Sequence, residues 1–100
     1  MYLQAIDIPF DEIARFCEKH HIRKLSLFGS VLREDFRPES DVDVLVEFEA
    51  DAHVGWEFVG MQDELSEILG RKVDLNTAGF LSRHFRQKVL DSAQVLYERT

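Results

Sequence analysis

The sequence predicts an α/β fold, a small β-sheet flanked by helices. Three observations lead there. Apolar residues recur at helical spacing in four stretches, short β-branched runs alternate with them, and Gly, Pro or polar clusters separate the two kinds. The length of 100 residues sets the scale: a single domain over 1–100, able to remove a little over about 60% of its unfolded surface from water.

The first helix is expected over Asp11 to His21, where Ile13, Ala14, Phe16, Cys17 and His20 share one face. Pro9 is tolerated in or before its first turn, and His20 and His21 suit the negative pole at its C-terminal end. Lys24 to Phe28, KLSLF, is a short strand. Gly29 and Ser30 follow, and then VLREDF, which can open as one helical turn before RPES breaks the chain at Pro38. Asp43 to Phe48 is a strand with Val42, Val44, Val46 and Phe48 on one face.

ADAHVG connects to a helix from Trp56 to Leu69, whose buried stripe is Phe58, Met61, Leu65, Ile68 and Leu69. Gly70 is placed to cap it. Lys72 to Asn76 is a third strand, with Val73 and Leu75 facing one way and Asp74 the other. A last helix is expected from Gly79 to Ser92, with Leu81, Phe85 and Val89 four apart, its Arg83, Arg86 and Lys88 forming a solvated face. QVLYE closes the pattern as a short strand.

Composition excludes several classes. With 45% hydrophobic and 31% charged residues the chain is globular, not disordered. A net charge of −7 argues against direct nucleic-acid binding, which needs a basic surface to displace counterions. It leaves room for a nucleotide, because a metal ion inverts charge locally. No apolar run is long enough to span a membrane, and MYLQAIDIPF has no basic segment ahead of an apolar block. The one cysteine, Cys17, has no internal disulfide partner and falls on an apolar helix face, consistent with core packing in a reducing cytoplasm.

Asp41 and Asp43 are the unusual pair. At i and i+2 on a strand their side chains project together, and at an effective dielectric of 20 and about 6 Å they repel by about 3 kcal/mol. Aspartate is also depleted in strands. Such an arrangement calls for a compensating cation, either Arg33 or Arg37 nearby or a bound divalent metal. Hard oxygen ligands suit Mg²⁺ or Mn²⁺, and Asp74 adds a carboxylate from another strand, enough for two ions. An Asp-x-Asp pair alone is more often a solvated strand start, and Asp74 alone a surface residue of an edge strand.

The combination with Gly29-Ser30 shifts that balance. A glycine after a strand lets the backbone turn and lets a phosphate approach with no Cβ in the way. A helical turn beginning near Ser30 points free N–H groups at that phosphate, with the Ser30 hydroxyl as a further donor and Arg33 over the same turn. The Lys-Ser/Thr of a P-loop is missing, so the logic differs: a triphosphate held between this turn and carboxylate-bound metal.

Gly29-Ser30, ten intervening residues and Asp41-Val42-Asp43 resemble the signature of the DNA polymerase beta-type nucleotidyltransferase superfamily. LFGSVLREDFRPESDVDVLVEF followed by ILGRKVDLNT is similar to the minimal nucleotidyltransferases, the MNT domain proteins, from about Ile13 to Tyr97. The resemblance implies a small mixed sheet flanked by helices, with Mg²⁺ held by Asp41, Asp43 and Asp74. It also implies phosphates at Gly29, Ser30 and Arg33, and ATP as substrate. It further implies a partner, because MNT proteins pair with small helical HEPN toxins and neutralise them by transferring AMP to a tyrosine. Asp74 is then a base or a metal ligand.

The alternative is an antitoxin that neutralises by binding alone, its acidic surface masking a basic one. Homo- or hetero-oligomerisation is open. Glu47, on the face of the two aspartates but further along, is a weaker ligand candidate; His53, Trp56 and Phe58 are read as surface or packing residues.

Overall fold

Two short β-runs and their neighbours order the whole chain. The computed structural model describes residues 7–32, 40–52 and 55–99. In order these are α1 (Phe10–Lys19), β1 (Ile22–Phe28), a 3₁₀ turn (Gly29–Leu32), β2 (Val42–Phe48), α2 (Glu57–Leu69), β3 (Val73–Thr77), a second 3₁₀ turn (Ala78–Phe80), α3 (Arg83–Ser92) and β4 (Gln94–Glu98). The four strands form one sheet in the order β3-β2-β1-β4. β1 runs antiparallel to both β2 and β4, whereas β2 and β3 are parallel, as the α2 crossover between them allows. The sheet is therefore mixed. Among the described residues no helix is long and apolar enough to cross a membrane.

Period-2 alternation divides the side chains between two layers. Leu25 and Leu27 of β1, Val42, Val44 and Val46 of β2, and Val73 and Leu75 of β3 face α1 and α2. There they meet Ile13, Phe16 and Cys17 of α1 and Met61, Leu65 and Leu69 of α2, all buried. Burial pushes the Cys17 thiol up to about 12, with the Glu18 charge adding to the shift. On the other face Phe28 and Leu45 form a smaller cluster with Val89 of α3, joined by Leu81 and Ala93.

α2 also finishes the edge of the sheet. Ser66 Oγ accepts the backbone N–H of Val73 at 3.0 Å, and Gln62 Oε1 accepts that of Leu75 at 2.9 Å. Side chains thus satisfy donors of an edge strand that would otherwise need water. Gly70 ends α2 in the left-handed region, at φ 67°, as expected of a C-terminal glycine.

α1 and α2 are pinned by Glu64, which accepts Lys19 Nζ at 3.2 Å and pairs with His20 Nε2 at 2.9 Å. The His20 hydrogen bond is the main cause holding the Glu64 carboxyl below its ordinary value, with Lys19 adding and partial burial opposing.

The final helix departs from the sequence expectation. Instead of one helix from Gly79 to Ser92, a 3₁₀ turn is followed by an extended Leu81, and α3 begins at Arg83. The reason is Ser82, whose side chain accepts the Phe85 N–H as an N-cap, a role that requires non-helical backbone at Ser82 itself. Arg86 departs as well. It does not belong to a solvated face: its Nε donates to Ala78 O at 2.8 Å and its Nη2 to Leu81 O at 3.2 Å, strapping the turn to the helix.

Candidate active site

The strand register decides what meets what. β2 and β3 are parallel with Asp43 directly beside Asp74, so both side chains project to the same face, the one that carries α3. Neighbouring strands lie about 4.8 Å apart, and two carboxylates about 5 Å apart at an effective dielectric of 20 repel by about 3 kcal/mol. Asp74 is exposed and Asp43 half-buried, so water screens part of this.

β1 delivers the turn to the same place. Phe28 pairs with Asp43, which sets the next residue, Gly29, over the carboxylate. Gly29 has φ +75°, and a Cβ there would fall on Asp43 Oδ2 and 3.2 Å from Asp43 Cγ. The missing side chain therefore does two things: it permits the left-handed turn and it makes room for Asp43. Only the first was readable in the sequence.

A cleft of about 390 Å³ opens here, lined by Phe28, Gly29, Asp43, Asp74, Asn76, Leu81 and Phe85. One wall is acidic and polar; the other is aliphatic and aromatic. The first turn of α3 borders it through Phe85, and the partial positive charge of a helix N-terminus favours anions there. Asn76 Nδ2 donates to Asp74 O at 3.0 Å, tying the end of β3 into a local turn.

Of the residues expected from sequence, Gly29, Asp43 and Asp74 come together. Asp41 directly precedes β2, is exposed, and is not part of the cleft lining. Among the described residues no three acidic, His or Cys side chains gather closely enough to enclose a metal ion by themselves. The donor set nonetheless fits a hard divalent cation: two carboxylates on adjacent rigid strands, open to a cleft that admits further oxygen ligands from substrate or water.

The Ser30 side chain, Arg33, Arg37 and His53 lie outside the described residues. Glu47 is ion-paired with Arg23. Phe58 packs at a tilt against Phe48, ring centres 6.4 Å apart, within the α1/α2 layer, and Trp56 is 93% exposed at the start of α2. Asn76, Leu81 and Phe85 were missed as site residues, since nothing in their spacing announces that the chain folds β3 and α3 around Asp43.

The model of the nucleotidyltransferase domain matches residues 11–96, across both the turn and the acidic strands. The chain belongs to the nucleotidyltransferase domain family. A nucleotide is thus a substrate of this enzyme.

Relatives of this nucleotidyltransferase include the protein adenylyltransferase MntA of Thermococcus cleftensis, 33% identical over 73 residues, which cover 73% of each chain. A protein of Methanocaldococcus jannaschii, provisionally named a protein adenylyltransferase, is 33% identical over 75 residues, covering 75% of this chain and 80% of its own. Among solved structures, a provisionally named minimal nucleotidyltransferase superposes with TM-score 0.71 at 30% identity, over 91% of this chain and 89% of the other. A toxin–antitoxin complex with AMP-PNP gives TM-score 0.73 at 21% identity, over 93% and 76%, and bears on the fold alone.

Proposed function

We propose that this nucleotidyltransferase is an antitoxin that transfers AMP from ATP to a tyrosine hydroxyl of a helical HEPN toxin. The observation that carries the reading is the Asp43–Asp74 pair in one cleft with the Gly29 turn, an arrangement that suits a cation and a polyphosphate at once. The adenylyltransferase names of its relatives support it, as does the fold shared with an MNT antitoxin solved in complex with a tri-AMPylated HEPN toxin of Shewanella oneidensis. In this reading the chain acts as one domain in the cytoplasm, with its partner supplying the acceptor.

Asp43 and Asp74, with Asp41 just ahead of β2, would hold Mg²⁺, of which two ions suit the carboxylate count. When bound, the metal neutralises polyphosphate charge and favours ionisation of the acceptor hydroxyl. The Gly29 turn admits the phosphates, assisted by Ser30 and Arg33. The tyrosine oxygen attacks the α-phosphorus in line, its bond to phosphorus forms as the α–β bridge breaks, and pyrophosphate leaves. The phenolic proton passes to Asp74 or to water. Rate enhancement comes from positioning and fixed charge.

The test is transfer of labelled AMP from ATP to a co-purified partner. Transfer is expected to need Mg²⁺ and to vanish in the Asp41→Ala/Asp43→Ala double variant; full transfer by that variant overturns the mechanism. Toxin neutralisation that survives both the double substitution and ATP depletion would instead assign the chain to masking by binding.

A further inference from the structure

α3 presents two neighbouring turns very differently. Val89 is 3% exposed in the small cluster against the sheet, while Phe85, one turn earlier, is 49% exposed and lines the acidic cleft. Exposure alone does not set Phe85 apart, since Phe10 and Trp56 are more exposed; its place in the lining of the cleft with Asp43 and Asp74 does. Its backbone is held in place: Ser82 Oγ accepts its N–H, and the turn before it is strapped by Arg86 to Ala78 O and Leu81 O. The cleft thus has a polar end at Asp43, Asp74 and Asn76 and a flat apolar side at Leu81 and Phe85. With a cation on the carboxylates, a ligand that satisfies both carries an anionic chain at one end and a planar ring at the other, which describes a nucleotide.

We infer that Phe85 is the platform on which the nucleobase stacks, a binding role that rests on the nucleotidyltransferase reading but is separate from the carboxylate chemistry. The ring face binds any purine without hydrogen-bond readout, so it contributes affinity and not base identity. The acceptor side chain is the rival occupant, and it enters from a partner protein instead of lying along the cleft.

Binding separates these possibilities. Isothermal titration with a non-hydrolysable ATP analogue and, separately, with inorganic tripolyphosphate, both with Mg²⁺, is carried out on the wild-type chain and on Phe85→Ala and Phe85→Trp. Phe85→Ala is expected to weaken the ATP analogue by about 5- to 100-fold while leaving tripolyphosphate unchanged, and Phe85→Trp to restore binding. A half-exposed position tolerates these changes, and thermal melts verify folding. Unchanged ATP affinity in Phe85→Ala, with a raised KM for the acceptor protein, overturns the assignment in favour of acceptor contact. Equal losses for both ligands overturn it in favour of a structural role. If the wild-type chain binds neither ligand, the cation-and-phosphate site proposed at Asp43, Asp74 and Gly29 fails, and the platform with it.

Discussion

The two faces of the sheet are built from alternate residues of the same strands, yet they do opposite work. Toward α1 and α2, Val42, Val44, Val73 and Leu75 are each no more than 4% exposed and close against a continuous apolar layer. Toward α3, Asp43 and Asp74 occupy the intervening positions, and the apolar contact shrinks to Phe28, Leu45 and Val89 with partly buried neighbours. The first face holds the strands rigid, and that rigidity is what lets the second keep two like charges side by side. A carboxylate pair on a loop would separate to relieve its repulsion; on neighbouring strands of a closed core it stays in place, ready for a cation.

Substitutions that touch one face at a time sharpen this contrast, and the largest effect is expected at Asp74. Asp74→Asn should lower AMP transfer by about 100- to 1000-fold while leaving the thermal midpoint unchanged or slightly raised, since it removes charge repulsion and no packing. A destabilised but active variant would reverse the assignment of the two faces. Its chain neighbour gives the mirror image. Leu75→Ala should cost about 2–5 kcal/mol in urea unfolding, with transfer per folded molecule falling far less than in Asp74→Asn.

Gly29→Ala tests the join between the faces. The left-handed backbone alone costs about 1–2 kcal/mol with a Cβ, and the added methyl must also displace the Asp43 carboxylate. Both stability and transfer should drop, and retention of full transfer would show that the Gly29–Asp43 contact does not set the site.

The smallest effect belongs to the α1–α2 pin. Glu64→Gln should cost under about 1 kcal/mol near neutral pH, as expected of an ion pair at the surface. Because folding lowers the Glu64 pKa, its contribution is present above the ordinary carboxylate value and is lost as pH falls through the lowered one. The gap between wild type and Glu64→Gln in urea titrations should therefore close on acidification; a gap that widens there contradicts the pin.

Much of this was legible in the residues themselves. The alternation in VDVLVEF and VDLNT fixed which side chains are core and which are not, because period 2 leaves no other way to bury the valines. Gly70 and Pro9 marked helix ends through backbone constraints that act locally. The Gly-Ser turn and the Asp-x-Asp pair, joined by their spacing, carried the family resemblance. The last helix was misread at its start because Leu81, Phe85 and Val89 keep a helical period across a Ser82 cap, and a period cannot show that the backbone before a cap is extended.

What residue order alone determined is the inventory: which strands exist, which face each residue takes, and that acidic residues interrupt an otherwise apolar pattern. These follow from local stereochemistry. Pairing decided the rest. That β3 lies parallel beside β2 in the register setting Asp74 against Asp43, that Gly29 makes room for that carboxylate, and that Phe85 lines the cleft depend on contacts between segments far apart in the chain. Such contacts are selected by the packing of the whole core, which no single stretch of sequence contains.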